Sequence, residues 1–90
     1  MPKIQCVYGL HFNELANKYR ESIAFEGNCL SDLIDALDKD YTGFREELID
    51  PARGELSTRN QILIQREEEK TRPLFSLRAE IQDGDILTFF

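Results

Sequence analysis

Ninety residues make one domain, 1–90, near the lower size at which a single hydrophobic core folds without disulfide or metal staples. The chain is 41% hydrophobic and 31% charged, and 11 basic against 17 acidic side chains leave a net charge of −6. That balance disfavours nucleic acid and anionic membrane surfaces, which must be approached with positive potential; it suits a protein partner with a basic groove.

No apolar run nears the roughly 18 residues of a membrane span, and Met1-Pro2-Lys3-Ile4-Gln5-Cys6 lacks the apolar stretch of a signal peptide. The expected location is cytoplasmic. Cys6, Cys29 and the single histidine, His11, follow no metal-ligand spacing, so neither a metal nor a cofactor is expected. An iron–sulfur centre would need four thiolates. No nucleophile, base and oxyanion donors assemble along the chain, and the protein is not expected to be an independent enzyme.

Lys3 to Tyr8 alternates, with Ile4, Cys6 and Tyr8 on one face and Lys3, Gln5 and Val7 on the other, which predicts a first strand. Gly9 breaks it, and Leu10 to Lys18 reads as a loop or short helical turn. Glu21 to Phe25 alternates again, with Ile23 and Phe25 inward, and Glu26-Gly27-Asn28 closes it.

Leu30, Leu33, Ile34 and Leu37 fall at i, i+3, i+4 and i+7, with Asp32, Asp35, Asp38 and Lys39 facing away. This spacing predicts the core helix. Asn28 or Cys29 caps its start, and Asp32 stands where a carboxylate favours the helix dipole. Burying the four apolar side chains is worth roughly 6 to 12 kcal/mol gross.

Phe44 to Ile49 is a shorter amphipathic stretch stopped by Pro51, and Asp50 to Thr58 reads as a loop. Gln61 to Gln65 predicts a third strand, with Ile62 and Ile64 on one face and Leu63 on the other. Arg66 to Pro73 is dense in charge and reads as a solvated turn. Leu74 to Ile81 holds a further short strand or turn. Asp83-Gly84-Asp85 is a tight turn, and Ile86 to Phe90 is the last strand. The order fits a sheet packed on one helix, an α+β arrangement.

The closing segment Asp83-Gly84-Asp85-Ile86-Leu87-Thr88-Phe89-Phe90 resembles the DGDxVxxF strand of the MoaD/ThiS sulfur carriers, the family of the molybdopterin synthase small subunit and its thiamine-pathway relative. Tyr8 to Ala16 resembles the tyrosine, leucine and Glu-Leu-Ala segment after the first strand of the MoaD type. Gly27-Asn28-Cys29-Leu30-Ser31-Asp32-Leu33 resembles its G-x-T-V-x-D-L helix start, with Cys29 in the threonine position, and Phe44-Arg45-Glu46-Glu47-Leu48 resembles its short second helix.

The resemblance implies a ubiquitin-like β-grasp fold, a mixed sheet of about four or five strands on one main helix. Two departures stand out. Gln65-Arg66-Glu67 replaces the family's Asn-Gly turn, and this chain stops at Phe90, where the family runs on to the terminal Gly-Gly that becomes a thiocarboxylate. The expected function is therefore a partner-binding accessory or regulatory subunit linked to molybdopterin-type cofactor metabolism. Its partner would be a larger cofactor-biosynthesis or molybdenum/tungsten enzyme subunit. The alternative is a true sulfur carrier whose tail lies outside this chain.

Alternation also predicts a contact surface. If Leu87 and Phe89 point to the helix, Ile86 and Phe90 emerge on the opposite face. In a β-grasp the first strand lies beside the last, which adds Val7. Val7, Ile86 and Phe90 form the expected partner-binding patch, and self-association through the sheet is a further use of it. Cys6 reads as a small core residue, Cys29 as a capping residue without catalytic role, and His11 as exposed without function.

Overall fold

The computed structural model describes residues 1–90. Strand β1 (Lys3–Tyr8) follows the predicted alternation, burying Ile4, Cys6 and Tyr8. It is followed by α1 (His11–Ala16) and β2 (Arg20–Ala24), then the main helix α2 (Leu30–Asp40) and the short α3 (Phe44–Leu48). A two-residue pair, β3 (Ile49–Asp50) and β4 (Glu55–Leu56), precedes β5 (Ile62–Gln65), β6 (Arg72–Leu74) and β7 (Ile86–Phe89).

The main sheet runs β2-β1-β7-β5-β6. β1 and β7 are parallel, and the other neighbours are antiparallel. α2 lies on one face and buries Leu30, Leu33, Ile34 and Leu37 into a core of 19 residues. This is the α+β, ubiquitin-like β-grasp arrangement expected from the sequence.

Local chemistry fixes the start of α2. Gly27 has φ 121°, and a Cβ there would collide with the Asp32 carboxylate, which explains the glycine at this position. Asp32 Oδ2 accepts hydrogen bonds from the backbone N–H of Asn28 at 3.1 Å and of Cys29 at 3.4 Å. The Asn28 N–H, with help from the Cys29 thiol, holds the carboxyl below its usual range. At the other end the Tyr41 N–H donates to the Leu37 carbonyl at 2.8 Å.

Two expectations change. The stretch 50–58 is not wholly loop: Asp50 Oδ1 takes the Ala52 N–H at 2.9 Å and Gly54 turns at φ 67°, so Ile49 pairs with Leu56. Nor is Arg66 to Pro73 simply a solvated turn. Arg66 points inward, and β6 begins at Arg72, with Pro73 opposite Leu63 on a sheet edge where a missing N–H is tolerated.

The absent Asn-Gly turn leaves a trace. Glu67 adopts φ 53°, a left-handed conformation that a side chain disfavours. Glu67→Gly is therefore expected to stabilise the domain by about 0.5 to 1 kcal/mol, raising Tm by roughly 2 to 8 °C. An unchanged or lower Tm would show that the exposed Glu67 side chain compensates for its backbone.

Candidate functional site

The helix-free face of the sheet is laid out by its register. Arg20, Val7, Thr88, Leu63 and Pro73 form one row across all five strands. Ser22, Gln5, Ile86 and Gln65 form the next. Leu87 and Phe89 are fully buried on the helix side, while Ile86 and Thr88 between them are half-buried on this one.

Phe90 continues the sheet beyond β7. Its N–H donates to the Gln61 carbonyl at 3.0 Å, and the Gln61 N–H donates back at 2.6 Å. Gly9 stands beside it, since a Cβ on Gly9 would come within 3.1 Å of Phe90 Cβ. Val7, Ile86 and Phe90 thus share one face, with Val7 diagonal to the other two.

Sequence reasoning left out part of this surface. Leu63 was legible as the outward residue between Ile62 and Ile64, yet only the register puts it next to Thr88. Phe75, 82% exposed, follows β6 one step past the Ile62–Leu74 pair and so lies toward Gln61 and Phe90. Leu10 is 73% exposed and held at φ 51°. Leu10, Leu56, Phe75 and Phe90 line a groove of about 570 Å³ at this end of the sheet, with Arg53 and Arg59 on its walls. Arg59 has no carboxylate partner.

Charge is segregated between the two sides. The paired strand positions of the helix-free face hold Lys3 and Arg20 and no aspartate or glutamate. The helices carry Asp32, Asp35, Asp38, Asp40, Glu46 and Glu47 on the other side. The net charge of −6 points to a basic partner groove, but the strand positions of this face carry no acid; its nearest carboxylates, Asp83 and Glu67 to Glu69, stand in the turns at one end. Net charge averages over sides that a partner meets one at a time.

The Asp-Gly-Asp turn anchors this face. Asp83 Oδ1 accepts the Lys3 N–H at 2.9 Å, and Gly84, at φ 90°, donates its N–H to the Lys3 carbonyl at 2.8 Å. Asp85 falls on the inward side and is fully buried. Its two oxygens accept Nε and an Nη of Arg66, each at 3.0 Å, and Oδ2 also takes the Gln82 N–H at 2.8 Å. The hydrogen bond to Asp85 raises the Arg66 pKa further.

A second polar cluster sits under the other edge. Tyr8 and Tyr41 each donate a hydroxyl to Glu21 Oε2 at 2.6 Å, and Lys18 Nζ reaches Oε1 at 3.4 Å. Burial works against the Glu21 carboxylate, but the hydroxyls of Tyr41 and Tyr8 and the Lys18 ammonium outweigh it and hold its pKa low. Burial pushes the Cys6 thiol up to about 12 and raises Tyr8 as well. Both stay protonated at neutral pH, so Cys6 is inert as a nucleophile. Cys29 hydrogen-bonds Asp32 as a cap, and His11 pairs with Glu47 at 3.1 Å. No group of three or more His, Cys, Asp or Glu residues is placed to hold a metal ion, and no helix is long and apolar enough to cross a membrane.

No family model matches the sequence, and no curated protein matches it. Solved structures do. Small archaeal modifier protein 1 from Haloferax volcanii superposes with a TM-score of 0.74 at 19% identity, covering 98% of this chain and 92% of that one. A Pyrococcus furiosus protein assigned as molybdopterin converting factor subunit 1 gives 0.72 at 24% identity, covering 100% and 97%. CysO, in the BexX/CysO complex from Amycolatopsis orientalis, gives 0.73 at 18% identity, covering 97% and 92%. At such identities the likeness speaks for architecture, and it does so over nearly the whole of each chain: this chain shares the ubiquitin-like β-grasp fold of these proteins.

Proposed function

We propose that this domain works as a binding subunit, docking the helix-free face of its sheet on a protein partner of molybdopterin-type cofactor metabolism rather than catalysing a reaction itself. The observation that carries the reading is the apolar run through Val7, Leu63, Ile86 and Phe90, on strand positions that hold no carboxylate in an otherwise acidic protein. Apolar groups at the centre of such a patch supply most of the binding energy, and charges at its rim mainly set rate and orientation. The structural neighbour CysO, solved in complex with BexX, supports association with another protein as the mode of action.

Ile86→Lys is expected to weaken partner binding at least about tenfold while leaving the fold intact, because the half-buried Ile86 side chain leaves the sheet on the side away from α2. Glu68→Lys should change little beyond the on-rate at low salt. Capture from native lysate with each variant, with circular dichroism as the folding control, makes the comparison. A folded Ile86→Lys protein that keeps every partner of the parent would move the site elsewhere.

A second reading, a sulfur carrier ending in a thiocarboxylate, is favoured by the likeness to the converting-factor subunit. Mass spectrometry of the native protein from its source distinguishes the two. A C-terminal thiocarboxylate selects the carrier.

A further inference from the structure

We propose that a second copy of this chain covers the same face, two sheets packing face to face about a two-fold axis lying along β7. The layout of the face is complementary to itself. With β7 on the axis, β1 of one copy lies over β5 of the other, and β2 over β6, because the order is β2-β1-β7-β5-β6. Val7 and Thr88 share a row with Leu63, so Val7 of each copy meets Leu63 of the other. Ile86 meets its own counterpart at the centre.

The charges match in the same arrangement. Lys3 is at the start of β1, at the end of the sheet where Gln65 pairs with Ile86 and the chain turns through Glu67, Glu68 and Glu69. The axis carries Lys3 of one copy over that acidic turn of the other. Lys3 and the three glutamates are all exposed, and none has an ion-pair partner within its own chain. The acidic helices of the two copies end on opposite outer sides, where a separation beyond the roughly 8 Å Debye length at physiological salt screens their repulsion.

The contact is small. Five strands about 4.8 Å apart, with three to six residues each at about 3.3 Å, present roughly 350 Å² per copy. A stable interface takes about 800 Å² per partner, so the dimer is weak and forms at high concentration. Where it forms, it covers the face that a partner would use.

The test is sedimentation velocity on the purified 90-residue chain, without any partner, from about 10 μM to about 1 mM. The parent is expected to pass from monomer to dimer across this range. Ile86→Lys should stay monomeric, with circular dichroism showing it folded. Lys3→Glu should weaken the dimer about 3- to 10-fold at low salt and less at high salt, and adding Glu67→Lys to it should restore association. A parent that is monomeric throughout, a dimer unaffected by Ile86→Lys, or a failed charge-swap rescue would each overturn the proposal. Because partner capture is measured separately, either reading can fail without the other.

Discussion

Replacing Arg66 by alanine is expected to destabilise the domain by about 3 to 5 kcal/mol, because it strands a buried carboxylate. Asp85 is fully buried and Arg66 donates twice to it, with the Glu80 carbonyl taking a third hydrogen bond at 3.1 Å. Without the guanidinium only the Gln82 N–H remains to the charge. The exposed Arg45–Asp35 pair, with side chains 43% and 56% accessible, provides the internal comparison: Arg45→Ala should cost under about 1 kcal/mol. Urea unfolding of both variants measures the difference as a shift in midpoint at constant slope. Equal shifts would mean that water or a rearranged turn replaces Arg66.

Phe44→Ala should be comparably severe, about 3 to 5 kcal/mol. The five-residue α3 is too short to hold itself together, so its packing must do so. Phe44 is fully buried, with ring centroids 5.2 Å from Phe12 and from Phe89 and 5.9 Å from Tyr8. It joins α1, α3, β1 and β7 at one point, and truncating it opens a cavity that four elements would have to close together. Set against a stability of about 5 kcal/mol, the low end for an ordinary domain, a loss at the upper end of this range would bring the midpoint of thermal unfolding down to about 37 °C. A thermal melt close to the parent's would show that Tyr41, 6.4 Å away, moves into the space.

The parts of the fold that are periodic were legible in the sequence. The i, i+3, i+4, i+7 spacing of α2 and the alternation of β1 and β7 each repeat often enough to reveal a face, and Val7, Ile86 and Phe90 follow from that alternation. What escaped reading depends on pairing across the chain. Arg66 and Asp85 are 19 residues apart, and nothing in a charge-dense turn marks which arginine will turn inward. Phe75 lies beyond a three-residue strand, too short to display a period, so its place near Phe90 appears only once β5 and β6 are in register. The two-residue β3 and β4 likewise carry no pattern. The absence of acids from the strand positions of the sheet face was hidden for a related reason, since a charge total contains no geometry.

The parallel pairing of β1 with β7 has a mechanical consequence. Gln5 lies beside Ile86 and Tyr8 beside Phe89, so β1 is entered from the N-terminal side and β7 is left on the C-terminal side with both strands pointing the same way. Tension applied between the segment before β1 and the segment after β7 therefore pulls the two strands in opposite directions along their length. The hydrogen bonds between them, which include Gly9 N–H to the Phe89 carbonyl at 2.8 Å and Gln5 N–H to the Asp85 carbonyl at 3.0 Å, are loaded together in shear and cannot be unzipped one after another. A small domain of modest thermodynamic stability is in this direction a stiff mechanical element.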